Sequence, residues 1–162
     1  FQKAGFEASQ VCECHGSIHW MQELHPGYSG DIWSAEGDEV EVDESTVRAA
    51  EPLPRSPYTG RLARPNILMF GDGHWLHQRT AAQRERLDAW IAGLGGRKLV
   101  IIEIGAGTAI PSVRGFCERM RRHSGTLVRI NPRESHGPRG TLSLAMGGLA
   151  GLQAIADRLE DG

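Results

Sequence analysis

Apolar and polar positions follow two rhythms along this chain, one with the period of a strand and one with the period of a helix. Leu99-Val-Ile-Ile-Glu-Ile104 is rich in β-branched residues and stops at Gly105-Ala106-Gly107. It predicts a buried parallel strand feeding a glycine turn. Ile67-Leu68-Met69-Phe70, introduced by Arg64-Pro65-Asn66 and ended by Gly71-Asp72-Gly73, predicts a second strand. Leu127 to Ile130, ending at Asn131-Pro132, predicts a third, and Leu142 to Met146 a last short one. Val11 to Trp20 alternates as a strand ending near His15-Gly16, which would put Cys12 and Cys14 on one face and His15 on the other. Ala82, Leu87, Trp90, Ile91 and Leu94 have helical spacing over Gln78 to Leu94, with Gly95-Gly96 as the stop. Val113, Phe116, Cys117 and Met120 mark a second helix opened by Pro111-Ser112 and closed at Gly125. Leu149, Leu152, Ile155, Ala156 and Leu159 mark a third. Strands and helices alternating at this spacing predict an α/β fold, a Rossmann-like parallel sheet with flanking helices.

The stretch from Met21 to Arg61 breaks the rhythm. His25 to Gly30 is turn chemistry, Glu36 to Glu51 is acidic and Pro52 to Pro57 is proline-rich. Residues 1–20 and 62–162 are therefore expected to form the Rossmann-like domain, and 21–61 a small insert. A length of 162 residues suits one domain with a substantial core, and 40% hydrophobic residues argue against disorder. The net charge of -2 hides the acidic Glu36–Glu51 block and a basic Arg114–Arg129 block. Neither has the length or the aromatic content of a nucleic-acid site, so both are expected to be solvated faces and no nucleic-acid partner is expected. No apolar run approaches the ~18 residues that span a bilayer, so no membrane partner is expected. No signal peptide is evident, which makes a cytoplasmic location the default. Cys12, Cys14 and Cys117 match no disulfide framework, as suits a reducing compartment. Phe1 to Gly5 does not look like the start of a domain, so the chain is expected to be a fragment.

Three groups could carry chemistry. The turn after Ile104 lies where open α/β sheets bind ligands, and its glycines let the backbone approach a phosphate or ribose. The dinucleotide fingerprint is incomplete: its third glycine would fall at Ile110, and the expected acid some twenty positions on is missing. Asn131, at the end of the next strand, can donate to and accept from ribose hydroxyls. His15 at a strand end can act as a general base near neutral pH, with Gly16 leaving room for a substrate; the bland alternative is a histidine that is merely hydrogen-bonded. Cys12, Cys14, His15 and His19 are zinc-ligand types, but at none of the usual spacings. His74 and His77 are expected at the surface.

Taken in order, these segments resemble the sirtuin (Sir2) family of NAD-dependent protein deacylases. Glu13-Cys14-His15-Gly16-Ser17 is similar to the family's Glu-Leu-His-Gly-Ser, and Arg64 to Asp72 to its Arg-Pro-x-Val-Val-x-Phe-Gly-Glu. Ile104-Gly105-Ala106-Gly107 stands in the place of its Ile-Gly-Thr-Ser, and Ile130-Asn131 resembles its Ile-Asn. The resemblance implies NAD as cofactor, with Gly105, Ala106 and Gly107 at its adenosine half and Asn131 at the ribose. It implies His15 as the base, and Phe70, Gly71 and Asp72 as the edge on which an acyl-lysine peptide adds as a strand. It also leaves open NAD hydrolysis or ADP-ribosyl transfer on the same fold, and a non-catalytic NAD- or peptide-binding module. Two departures stand out. Ser56-Pro57-Tyr58-Thr59-Gly60 replaces the family's zinc-binding Cys-Pro-x-Cys-Gly, so no structural zinc and no metal site are expected. The family's phosphate-binding Gly-Ala-Gly-x-Ser loop would precede Phe1. The chain is therefore expected to be the C-terminal portion of such an enzyme, inactive alone.

Overall fold

In the computed structural model of the chain, which describes residues 1–27, 30–37 and 40–160, Gly16 starts the first strand instead of ending it. Tyr28 and Ser29 of the predicted turn, and Asp38 and Glu39 of the acidic block, lie outside the described residues. Two compact units are present, Phe1–Gly93 and Leu94–Gly162.

The first unit opens with two short 3-10 turns, Gln2–Ala4 and Ala8–Gln10. Strands β1 (Gly16–Glu23) and β2 (Ile32–Ser34) follow, then the two-residue strands β3 (Val42–Asp43) and β4 (Arg48–Ala49), then β5 (Ala63–Ile67) and helix α1 (Gln78–Ala92). β1 is the centre of an antiparallel sheet of order β2-β1-β5, and β3 and β4 pair as a separate ribbon. The two N-terminal strands expected in a parallel sheet thus pair antiparallel with each other. Local alternation identifies a strand but not its partner, which explains the difference. β5 also ends at Ile67, where the predicted strand begins, and only Leu68 continues the pairing, its N–H donating to the His15 carbonyl at 2.9 Å. Two amides organise the interior of this unit. Gln22 and Asn66 are fully buried, Asn66 Nδ2 donates to Gln22 Oε1 at 2.8 Å, and Gln22 also holds the backbone of His74 and Leu76.

The Ser56–Gly60 segment folds as a hydrogen-bonded turn. The buried Ser56 Oγ accepts the N–H groups of Tyr58 and Thr59, both at 3.3 Å, and Thr59 Oγ1 donates to the Glu23 carboxylate at 2.6 Å. Gly60 N–H closes the turn on the Ser56 carbonyl at 2.9 Å.

The second unit carries the later part of the predicted α/β layer. Strands β6 (Leu99–Ile104), β7 (Gly125–Ile130) and β8 (Leu142–Leu144) form a parallel sheet in that order, with helices α2 (Ser112–Ser124) and α3 (Gly148–Glu160). Because neighbours in a parallel register share a face, Glu103 and Arg129 lie on one side and Ile104 and Ile130 on the other. α3 approaches the latter side through glycines. A Cβ at Gly151 would lie 2.6 Å from Ile130 Cγ2, and one at Gly148 would lie 2.8 Å from Ile104 Cγ2.

β6 differs from the fully buried strand expected of it. It is an edge strand, and Val100, Ile102 and Ile104 remain 63%, 45% and 48% exposed. Its buried residue is the polar one, Glu103, whose carboxylate takes Arg129 Nε at 2.6 Å and Nη2 at 2.9 Å. Arg129 Nη2 also reaches Glu118 on α2 at 3.0 Å. The basic block is accordingly not one solvated face. Arg114 and Arg129 point inward and are buried, whereas Arg119 and Arg122 are exposed.

Candidate functional site

His15 sits in a turn, Glu13 to Gly16, closed by the Gly16 N–H on the Glu13 carbonyl at 2.9 Å. The turn is fastened to α1: Glu13 N–H donates to Gln83 Oε1 at 2.8 Å, Thr80 Oγ1 donates to the Glu13 carbonyl at 3.2 Å, and Arg79 pairs with the Glu13 carboxylate. Burial works against that carboxylate, yet hydrogen bonds from Arg79 and Gln83 hold its pKa below the ordinary value. Arg79 also lies over the Trp20 ring, 4.7 Å from its centroid. The imidazole is exposed, with Nδ1 3.7 Å from Cys14 Sγ. Because this segment is a turn, the alternation expected of Cys12, Cys14 and His15 on a strand does not apply.

Gly16 has φ +82°, and a Cβ there would lie 1.9 Å from the Asn66 carbonyl oxygen. The space opened by this glycine is filled by the backbone of β5, not left for a substrate. Just beyond Ile67, the residue of that strand that pairs with Gly16, Phe70 is 88% exposed, and Gly71 turns the chain at φ +70°. Asp72 is held inward: Oδ2 accepts Arg64 Nη2 at 2.6 Å and Oδ1 accepts the His74 N–H at 3.0 Å. Burial opposes its ionisation, but the Arg64 bond and charge together with backbone hydrogen bonds leave its pKa below the ordinary value. His74 and His77 are exposed, with the His25 and His74 rings edge to face at 5.1 Å.

In the second unit the structure brings Gly105, Ala106, Gly107 and Asn131 together at the carboxyl ends of β6 and β7. Gly105 N–H donates to the Ile130 carbonyl at 3.0 Å, and its φ of +71° requires glycine. A Cβ there would have nothing within 4 Å, so the turn faces open space. Asn131 is buried. Its Oδ1 accepts the N–H groups of Arg133 at 3.0 Å and Glu134 at 2.9 Å, and its Nδ2 donates to the Ala106 carbonyl at 3.2 Å. Both lone pairs of the amide oxygen are thus taken, which leaves one N–H of Nδ2 for a ligand.

Glu134 is the residue that sequence reasoning missed. Its Oε2 accepts the Thr108 N–H at 3.1 Å, its Oε1 accepts Thr108 Oγ1, and a Cβ at Gly107 would lie 3.2 Å from it. The Thr108 hydrogen bonds hold its pKa below the ordinary value. An acid does therefore stand at the glycine turn, further along the chain than the fingerprint spacing places it. The visible clue is Asn131-Pro132-Arg133-Glu134, where an asparagine turn folds the following residues back. Arg114, Arg79, Thr80 and Gln83 were likewise legible only as polar positions on helices.

Among the described residues no group of three or more His, Cys, Asp or Glu side chains could hold a metal ion, and Cys12, Cys14 and Cys117 are free thiols. No helix among them is long and apolar enough to cross a membrane.

No family model and no curated protein matches the chain. Solved structures do. A mutant Sir2 homologue in complex with ADP-ribose aligns over 99% of this chain and 55% of its own, at 19% identity and a TM-score of 0.66. Sir2 in complex with an inhibitor, 2'-O-acetyl-ADP-ribose and a deacetylated p53 peptide aligns over 99% and 60%, at 19% identity and a TM-score of 0.62. Sir2Tm bound to a propionylated peptide gives 99% and 60%, at 18% identity and a TM-score of 0.61. The chain thus spans about 55–60% of the length of these structures. Aligned over nearly its whole length with part of each of them, this chain has a partial sirtuin fold.

Proposed function

We propose that the chain forms part of an NAD-dependent protein lysine deacylase of the sirtuin type, with His15 as general base. The observation that carries this reading is the alignment of 99% of the chain with sirtuin structures that hold ADP-ribose or acylated peptides. The residues of the second unit fit the adenosine end of NAD: an open glycine turn, one free N–H on Asn131 and the Glu134 carboxylate beside them. NAD, when bound, supplies the ribose carbon that accepts the acyl oxygen and releases nicotinamide. This chain's own part is to bind and to move a proton. His15 Nδ1 lies 3.7 Å from Cys14 Sγ, and in the tautomer whose Nδ1–H points to that sulfur Nε2 is the nitrogen that takes the proton. β5 is an edge strand running into the exposed Phe70, which suits addition of an acyl-lysine peptide along Phe70, Gly71 and Asp72. Ser56 and Thr59 offer hydroxyls where zinc needs thiolates, and Ser56 Oγ accepts two backbone N–H groups of their turn, so the insert takes no structural zinc. One zinc per chain by metal analysis would overturn that part.

The test is nicotinamide release from NAD with an acetyl-lysine peptide by the polypeptide that carries this sequence, wild type against His15→Ala. A general base contributes about 10²–10⁴ in rate, and the variant is expected to lose that much. Equal rates would remove His15 from the mechanism. Nicotinamide release that needs no acyl peptide would point instead to NAD hydrolysis or ADP-ribosyl transfer. Binding of NAD or peptide without turnover would point to a binding module.

A further inference from the structure

Arg114, on the first turn of α2, is buried, and among the described residues its guanidinium hydrogen-bonds carbonyl oxygens, with the Glu134 carboxylate near enough to feel its charge. Nη1 donates to Ala106 O at 3.1 Å and to Glu134 O at 2.9 Å, and Nη2 donates to His136 O at 2.7 Å. These three carbonyls belong to the two loops that end β6 and β7. One guanidinium therefore ties the glycine turn to the segment after Asn131. The planar fork is what makes this possible, since a lysine ammonium on a flexible stem cannot span three carbonyls in fixed directions. Asn131 Nδ2 shares the Ala106 carbonyl, and Glu134 closes the same two loops through Thr108. Among the described residues its hydrogen bonds go to these loops and not to the β6–β7 ladder.

We propose that Arg114 is the positioning residue of this site, holding the Gly105–Thr108 and Asn131–His136 loops in their ligand-ready arrangement without touching the ligand itself. The ligand class, the ribose diol of an adenosine nucleotide, rests on the function proposed above. A nucleotide then meets donors and acceptors that are already in place, and binding loses little to loop ordering.

The experiment is amide hydrogen exchange by NMR on the full chain, together with titration of ADP-ribose, for wild type, Arg114→Lys and Arg114→Gln. Val128→Ala, which loosens the same sheet away from both loops, is the stability control. In the Arg114 variants the Thr108, Arg133 and Glu134 amides are expected to exchange at least tenfold faster while the β6–β7 ladder keeps its wild-type rates. ADP-ribose affinity is expected to fall at least tenfold, and Val128→Ala to stay within twofold of wild type. Unchanged exchange at those three amides, or acceleration spread equally over the ladder, overturns the positioning role. Wild-type binding of ADP-ribose with undiminished affinity in both Arg114 variants overturns it as well. Failure of the wild-type chain to bind ADP-ribose defeats the nucleotide reading instead, and the ligand half of this proposal with it; exchange alone then decides whether Arg114 holds the loops.

Discussion

Replacing Arg129 by methionine should be among the most damaging single changes in the second unit. The Arg129 and Glu103 side chains are both 0% exposed, and the guanidinium supplies two of the carboxylate's bonds, at 2.6 and 2.9 Å. Arg129 Nη1 further holds the His136 carbonyl at 2.6 Å. Arg129→Met therefore strands a buried carboxylate, a change that costs about 3–5 kcal/mol. For a unit of this size each kcal/mol moves the melting temperature by about 4–8 °C, so the unit should melt about 12–40 °C lower. Removing the stranded charge as well, in Glu103→Leu/Arg129→Met, should recover stability to within about 1–2 kcal/mol of wild type, because a packed apolar pair of similar volume replaces a buried ion pair at little cost. Glu118, partly exposed, can turn to water. All four tryptophans, Trp20, Trp33, Trp75 and Trp90, lie in the first unit, so their fluorescence does not report this transition. The assay is urea-dependent hydrogen exchange of the β6 and β7 amides. A single variant costing under about 1 kcal/mol, or a double variant as unstable as the single, would refute the reasoning that the uncompensated charge dominates.

Two further outcomes follow from the geometry. Burial, then the Glu103 charge, pushes the Cys117 thiol up from 9.0 to about 11. A thiol with a raised folded pKa favours the folded state below its unfolded value, so this contribution should fade between about pH 9 and 11; in native protein at pH 8 a thiol reagent should modify the exposed Cys14 first and Cys117 only on unfolding, and equal rates would contradict the burial. Ser56→Ala removes the acceptor of two backbone N–H groups in a buried turn and should cost about 1–2 kcal/mol by tryptophan-monitored urea unfolding, whereas Ser45→Ala in the exposed β3–β4 ribbon should cost under about 0.5.

Much of the second unit was legible because its signals are local. The run from Leu99, the stripe from Val113 to Met120 and the closing glycine at Gly125 each carry their own period, and β6, β7, α2 and α3 fall close to where those periods put them. The partners of Glu103 and Arg129 were not legible. A lone glutamate in an apolar run and a lone arginine in another look like solvated positions until the parallel register sets them side by side. The first unit was harder for the same reason. Its sheet depends on β1 meeting β5 across residues 24–62, and on Gln22 meeting Asn66, neither of which any short window of the chain contains. The Gly105–Asn131 grouping followed from strand ends in sequence, whereas Glu134 and Arg114 entered only through the loops that fold onto them.

The turn at Ser56–Gly60, closed by hydroxyls, bears on the conditions under which the first unit keeps its shape. A turn closed by thiolates on a metal opens when an oxidant converts the sulfurs or when a competing protein strips the ion. A turn closed by Ser56 Oγ on two backbone N–H groups, and by Thr59 on Glu23, offers neither point of attack. Peroxide and chelators, which dismantle a turn closed by thiolates on a metal, are expected to leave the hydrogen bonds of Ser56–Gly60 in place.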